Sequence, residues 1–432
     1  MLTARRIELI ERNTAEILGR DELPGLLESG QQLRHYIGFE ISGKAHLGTG
    51  LISMAKVRDL TAAGVRCSVL LADWHTWIND KLGGDRELIR RVASGYFTEA
   101  LRASLLCVGA DPGSVDFVLA SDLYRDNEAY WATVIDVSKN TTLARMQRSI
   151  SILGRKEGES VDFAKLIYPA MQAADIFAQG IHIAHAGLDQ RKAHVIARDV
   201  ALHIRINTLH APDGAVLKPV ALHHPLLLGL RRPPVWPVPD DSAREVFAEM
   251  KMSKSDPASA VFIHDSPDTI RAKLRRAFCP PDAVDFNPIL DWIDKIVFRI
   301  AGGPFHVDRT PQNGGPIAFD TYNNVSTAYA AGTLHPMDAK AALADRLIDM
   351  YAALRGIDAQ AALGEFTGKS YSALKSATAE VIIAALEPIQ RRYAELRADE
   401  SALRAGLQAS AARVAVVAEA TLARVQQAVG LR

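Results

Sequence analysis

Between residues 35 and 204, short apolar runs alternate with longer stretches of helical spacing, and this alternation narrows the possible folds more than any other feature of the chain. Residues 67–72 (CSVLLA) form an unbroken apolar run rich in β-formers, the pattern of a strand covered on both faces. Residues 35–39, 115–119 and 181–186 read the same way. Between them, residues 47–63 read as a helix closed by Gly64, residues 85–107 as a second helix, and residues 190–204 as a third. Strand–helix–strand units of this kind wind into a parallel sheet with helices on both faces, which binds its ligand at the carboxyl ends of the strands. The expected class is α/β.

Residues 230–241 (LRRPPVWPVPDD) are too rich in proline for regular structure and read as a loop. Beyond residue 280 strand alternation fades. Residues 337–354, 373–397 and 401–429 are rich in Ala and Leu at helical spacing, so residues 281–432 read as an all-α domain behind an α/β domain over 1–280. A chain of 432 residues is long enough for both. Its 50 basic and 50 acidic side chains cancel, so a polyanionic partner would have to meet a local patch. Cys67, Cys107 and Cys279 are scattered without CxxC spacing, which argues against a disulfide framework or zinc site and for a reducing, cytoplasmic setting. The charged N-terminal segment MLTARRIELIERNTAEIL reads as helical, with no signal-like apolar stretch. No run reaches the ~18 apolar residues of a membrane helix, so no membrane partner is expected.

Three segments carry chemistry. Residues 42–48 (SGKAHLG) lie between a strand and a helix, and a helix N-terminus offers free N–H groups and partial positive charge to a phosphate. Gly43 and Gly48 permit close approach, and His46 can donate to a phosphate oxygen. Residues 251–255 (KMSKS) pair Lys251 and Lys254 with the hydroxyls of Ser253 and Ser255, a donor cluster matched to a triphosphate. Each segment alone is also compatible with an ordinary turn or solvated loop. In residues 168–175 (YPAMQAAD), Tyr168, Gln172 and Asp175 stand at i, i+4 and i+7 on one helix face, with Pro169 placed where a first helical turn tolerates it. Such a polar stripe on an apolar helix is either a solvated edge or a pocket. In the pocket, Tyr168 and Gln172 take an ammonium and Asp175 accepts from the ligand's distal group.

Taken together, His46-Leu47-Gly48-Thr49 and KMSKS about 200 residues later, bracketing the strand–helix pattern, resemble the two signature motifs of class I aminoacyl-tRNA synthetases. KMSKS matches letter for letter. Thr49 departs, standing where the family has a second histidine that helps hold the phosphates. The resemblance implies a Rossmann-like parallel-sheet catalytic domain followed by an all-α anticodon-binding domain. It also implies ATP contacts from Gly38, Ser42, His46, Gly48, Thr49, Lys251, Met252, Ser253, Lys254 and Ser255, with His46, Lys251 and Lys254 stabilising the transition state.

Residues 168–175 and 36–40 (YIGFE) are similar to tyrosyl-tRNA synthetases of the archaeal and eukaryotic type, in which Tyr36 and Asp175 would hold the substrate phenol. Two buried partners left unpaired by phenylalanine can reject it ~10⁴–10⁵-fold without editing. Residues 186–192 (AGLDQRK) resemble the family's G-x-[DE]-Q loop, implying that Gly187 and Asp189 meet the adenosine and Gln190 the amino acid. Leu70, Ala72 and His75 align with the pocket wall, and His182, His185 and His194 read as structural. Residues 314–338, ending LHPMD, resemble the anticodon-reading part, with His335, Pro336, Met337 and Asp338 receiving the first anticodon base. Asn313 replaces the family's stacking phenylalanine, which weakens base stacking there.

The implied reaction activates L-tyrosine with ATP and Mg²⁺ and passes it to tRNA(Tyr), in a cytoplasmic homodimer. Three alternatives stay open: a tryptophanyl-tRNA synthetase, whose bacterial members usually carry Met at the position of Gln172; a paralogue making tyrosyl-adenylate for a non-tRNA acceptor; and an RNA-binding relic without catalysis.

Overall fold

The computed structural model describes residues 2–155, 159–263, 273, 276–278, 280, 283–301, 304–307, 309, 314–331, 333 and 400–428. The expected helices at 337–354 and 373–397, residues His335 to Asp338 and Asn313 lie outside the described residues.

Six strands build the main sheet: β1 (Glu16–Leu18), β2 (Arg34–Phe39), β3 (Arg66–Leu71), β4 (Val115–Leu119), β5 (Ile183–Gly187) and β6 (Val220–His224), in the order β1-β6-β5-β2-β3-β4. Every neighbouring pair is parallel except β1 against β6. Because β2 pairs with β3 on one side and β5 on the other, the strand order reverses there. A crevice therefore opens beyond the carboxyl ends of β2 and β5.

The strands alternate between two apolar layers, as their period of two requires. Ile37, Val69, Phe117 and Ile183 pack with Met54, Val57 and Leu60 of the helix Ser53–Ala62 and with Ala100, Leu101 and Leu105 of the helix Thr98–Cys107. Tyr36, Leu70, Val118 and Ala184 pack on the other face, against Ala170, Met171, Ala174 and Phe177 of the helix Phe163–Ala178 and Ile196 and Val200 of Arg191–Val200. Each large apolar side chain buried this way contributes ~1.5–3 kcal/mol. Val414 and Ala418 of the long helix Glu400–Ala428 also join the second layer, where that helix runs beside β4.

Four sequence expectations are corrected. The N-terminal helix stops at Glu11; Asn13 turns the chain with φ 61°, and residues 16–18 leave as the antiparallel edge strand β1. Pairing with β6 overrides helical propensity, as tertiary context does for a short segment. The helix bearing Tyr168 begins at Phe163 rather than near Pro169, because the Asp162 side chain caps it by accepting from Lys165 N. Pro169 therefore sits inside a helix whose cap and buried face outweigh one missing N–H. The helix expected over 190–204 ends at Val200. Beyond residue 280 the chain is not wholly helical: β7 (Phe305–Val307) and β8 (Ile317–Phe319) pair antiparallel. Strands of three residues are too short to show a period in sequence.

The helix Ser53–Ala62 is preceded by a π-helical turn, Gly48–Ile52, and is held from below by two fully buried charges. Lys56 Nζ donates to the carbonyls of Leu9 (3.2 Å), Arg12 (2.7 Å) and Ile10, the loose end of the N-terminal helix. Asp59 accepts from Arg12 Nε (3.1 Å), Asn13 Nδ2 (2.7 Å) and Arg58 (2.9 Å). Removing one partner of a buried pair costs ~3–5 kcal/mol, less where a guanidinium stays half in water. Asp59→Ala is accordingly expected to destabilise the chain by ~2–3 kcal/mol in chemical denaturation. A loss below ~1 kcal/mol would mean the clamp is incidental.

Candidate active site

The site lies at the carboxyl ends of the strands, where several separate sequence segments meet. Its floor is the helix Phe163–Ala178. Tyr36 O–H, from β2, donates to Gln172 O at 3.3 Å. His75 stands edge-on to Tyr168, ring centroids 4.6 Å apart, with its Nε2 3.7 Å from Asp175 Oδ2. Tyr168, Gln172 and Asp175 thus share one face, and it is largely buried rather than a solvated edge.

Asp175 is only 2% exposed, and burial pushes its carboxyl up to about 8, against a 2.6 Å hydrogen bond from Tyr124 O–H that pulls it down. Burial raises the Tyr36 phenol well above its usual range and lowers the His75 imidazole to about 3, so both stay neutral. Neither nitrogen of His75 nor Oε1 of Gln172 has a partner. Buried polar atoms in this state call for a partner that the protein does not supply, water or a bound polar group. Leu70, fully buried beside Tyr36, and Ala72, at the end of β3, complete the wall.

At the mouth, the Tyr168 hydroxyl bonds to Glu40, which also accepts from Asn79 Nδ2 at 2.7 Å. Gln172 Nε2 reaches Gln190 Oε1 at 3.4 Å, and Gln190 Nε2 donates to Ile152 O at 3.0 Å. Beyond them lie the basic groups. Lys251 Nζ pairs with Asp189 Oδ2 at 3.0 Å, and Lys254 Nζ donates to Ser42 Oγ while lying 5.4 Å over the Phe97 ring. Burial lowers the Lys254 ammonium to about 8, with Glu40 opposing.

Thr49 N donates to His46 Nδ1 at 3.3 Å, which leaves Nε2 to carry the ring proton. That Nε2 lies 3.3 Å from Thr49 Oγ1. Burial and Lys254 lower His46 to about 3. A Cβ at Gly48 would stand 3.1 Å from this ring, and one at Gly187 would stand 2.7 Å from Asp189 Oδ1, so a side chain at either turn would press on the neighbouring site residue. Gly38 is open at the end of β2, and Ser253 and Ser255 bond to each other at 2.8 Å. The Met252 side chain instead turns into the apolar core, leaving only its backbone to the loop.

Sequence reasoning missed Tyr124, Tyr130, Glu40 and Asn79. Tyr124 follows β4 directly and stacks on Tyr130 at 3.9 Å. A strand's carboxyl end was the available signal, but nothing local links Tyr124 to Asp175, 51 residues on. Of the histidines read as structural, His182 Nδ1 accepts from Arg34 N at 3.2 Å, and His194 Nδ1 lies 3.0 Å from His223 Nε2. His185 sits between two further imidazoles.

The family model for tRNA synthetases class I (W and Y) matches residues 28–352. The tyrosine–tRNA ligase of Thermococcus kodakarensis is 55% identical over 353 residues, 81% of this chain and 94% of that protein. That of Pyrococcus abyssi is 53% identical over 352 residues, 81% of this chain and 93% of its own. The crystal structure of a tyrosyl-tRNA synthetase complexed with L-tyrosine, from Pyrococcus horikoshii, superposes with a TM-score of 0.77 at 48% identity, covering 93% of this chain and 99% of that one. A tyrosyl-tRNA synthetase from Aeropyrum pernix gives 0.65 at 37% identity, covering 94% and 98%. With the pocket, the basic cluster and the strand order agreeing, the chain belongs to the class I tRNA synthetases, among the tyrosine–tRNA ligases of archaeal type.

Proposed function

We propose that this tyrosine–tRNA ligase holds the phenol of L-tyrosine with Asp175 and Tyr36, its ammonium with Tyr168, Gln172 and Gln190, and ATP with residues 46–49, Gly187, Asp189 and the KMSKS segment. The observation that carries the reading is a buried carboxyl beside a phenol at one end of the pocket, with two lysines parked on Ser42 and Asp189 at the other. Phenylalanine would bring no hydroxyl to Asp175 and Tyr36, which would keep only Tyr124 and the Gln172 carbonyl as partners, a ground for rejection. The tyrosine carboxylate attacks the α-phosphorus, the bond to the bridging oxygen breaks, and pyrophosphate leaves. No protein nucleophile is needed. His46 Nε2–H, Lys251 and Lys254 stabilise the charge that gathers on the phosphates; a terminal ribose hydroxyl of tRNA(Tyr) then attacks the tyrosyl carbonyl, the acyl–phosphate bond breaks, and AMP and a proton leave.

Mg²⁺ fits this arrangement. It would be held by the ATP phosphates and water, next to the lysines that rest on Asp189 and Ser42. When bound it would neutralise phosphate charge beside Lys251 and Lys254. A homodimer and a cytoplasmic setting belong to the same reading. No described helix is long and apolar enough to cross a membrane.

The raised carboxyl of Asp175 gives a pH test. In the empty pocket its protonated form is favoured below about 8. A phenol donating to Asp175 favours the ionised form, so tyrosine should bind more tightly as pH rises from 6 to 8, releasing a proton, by up to ~10-fold per unit. Calorimetry in buffers of different ionisation heat measures both; an affinity flat across this range would show a carboxylate already ionised.

Lys251→Ala and Lys254→Ala should each slow tyrosine-dependent pyrophosphate exchange by ~10²–10³-fold with tyrosine affinity nearly unchanged. A matching loss of tyrosine affinity would make these lysines structural.

Asp338, matched to the anticodon-reading turn, separates a tRNA charger from an adenylate-making paralogue. Asp338→Ala should leave pyrophosphate exchange intact and slow charging by ~1–3 kcal/mol, with a changed first anticodon base producing a similar, non-additive loss. Charging indifferent to both changes would remove the anticodon role.

A further inference from the structure

Beneath the nucleotide-binding turns runs a chain of buried side chains that the mechanism above does not use. Ser53 Oγ donates to Gly48 O at 3.2 Å, within the turn that carries His46 and Thr49. The same oxygen lies 3.4 Å from His224 Nε2. His224 Nδ1 is 2.8 Å from His185 Nε2, and His185 Nδ1 is 3.2 Å from His35 Nε2. One helix and the strands β6, β5 and β2 each contribute one member. Ser53 and His35 are fully buried, His185 is 1% exposed and His224 7%. His224 also lies under the second turn, since a Cβ on Gly187 would come within 3.4 Å of its Nε2.

We propose that Ser53, His224, His185 and His35 form a neutral hydrogen-bonded chain of fixed polarity that positions residues 46–49 and 187–189 relative to one another. The inference rests on the reading of those two turns as the nucleotide site. These are positioning residues, since none touches the reacting atoms.

The polarity follows from the atoms. A neutral imidazole has one N–H and one bare nitrogen. The Ser53 proton is committed to Gly48 O, so its oxygen accepts from His224 Nε2–H. His224 Nδ1 then accepts from His185 Nε2–H, and His185 Nδ1 accepts from His35 Nε2–H. The chain ends at a bare His35 Nδ1, and that atom has no partner. The reverse polarity would bury an N–H there without an acceptor, which folded proteins avoid. Burial holds all three imidazoles below their ordinary range, His35 at about 3 and His224 at about 4. Lys56 reinforces this for all three, Asp189 opposes it at His224, and His223 and His194 are the other imidazoles that face the chain.

Phosphoryl chemistry depends on the placement of groups to within about 1 Å, so loosening one turn against the other should affect ATP and spare tyrosine. The test uses full-length enzyme with ¹⁵N-labelled histidine, read by two-bond ¹H–¹⁵N NMR at neutral pH, and three variants. His35, His185 and His224 should all show the Nε2–H tautomer. Ser53→Ala, which removes one oxygen, and His224→Leu should each reduce kcat/KM for ATP in pyrophosphate exchange by roughly fivefold or more, with tyrosine Kd within twofold. His224→Gln, which keeps a donor near Ser53, should recover most of the loss. Should His224→Leu fail to fold, Ser53→Ala alone decides. An Nδ1–H tautomer at His185 or His224, unchanged ATP kinetics in Ser53→Ala, or equal losses for both substrates would overturn the proposal. A wild-type enzyme without tyrosine-dependent exchange would sink the functional reading instead, and the tautomers, measured without substrate, would still decide this one.

Discussion

The pairing of β2 with β5 is the contact on which the rest of the molecule depends. It joins His35, Tyr36 and Ile37 to Ile183, Ala184 and His185, segments about 150 residues apart, and in doing so it reverses the strand order. That ladder is the direct backbone link between the half of the chain that carries Tyr36 and the SGKAHLG turn and the half that carries Asp189 and Gln190. The crevice and the placement of residues 46–49 and 187–189 beside it both follow from that reversal.

The site concentrates polar groups in places where burial is costly, and the surrounding fold shows how that cost is met. Asp175 keeps one strong partner in Tyr124 and otherwise faces neutral groups. Its neighbour Tyr36 packs in the apolar layer, His75 stands edge-on to the Tyr168 ring, and Gln172 reaches Gln190, so none is held by charge. Lys251 and Lys254 rest on Asp189 and Ser42, each in a different segment of the site. On the proposed reading those contacts would exchange for a triphosphate, a stronger partner for a lysine than a part-exposed carboxylate or a hydroxyl.

Beneath this exchangeable layer lies a fixed one. Lys56 and Asp59 fasten the helix Ser53–Ala62 to the N-terminal segment, while the histidines of β2, β5 and β6 bind the strands to each other and to Ser53. The helix that opens at the HLGT turn is thus held at both ends by buried polar contacts. A site that must place a phosphorus atom and an attacking oxygen accurately benefits from such rigid support.

Much of this was legible in the chain itself. The strands β2 to β5 announced themselves as continuous apolar runs, because strands covered on both faces leave no room for polar residues. SGKAHLG, KMSKS and the Tyr168–Gln172–Asp175 stripe stood out because each is a local cluster whose chemistry survives without neighbours. Other features were decided only by tertiary structure. β1 reads as the end of a helix until β6 offers its edge, and Pro169 reads as a helix start until Asp162 caps the chain about two turns earlier. Tyr124 has no local mark of its bond to Asp175, and three scattered histidines become one chain only when parallel strands bring them into register. Local sequence determines period and chemistry within a few residues; which buried donor meets which acceptor is set by packing between segments that the sequence keeps far apart.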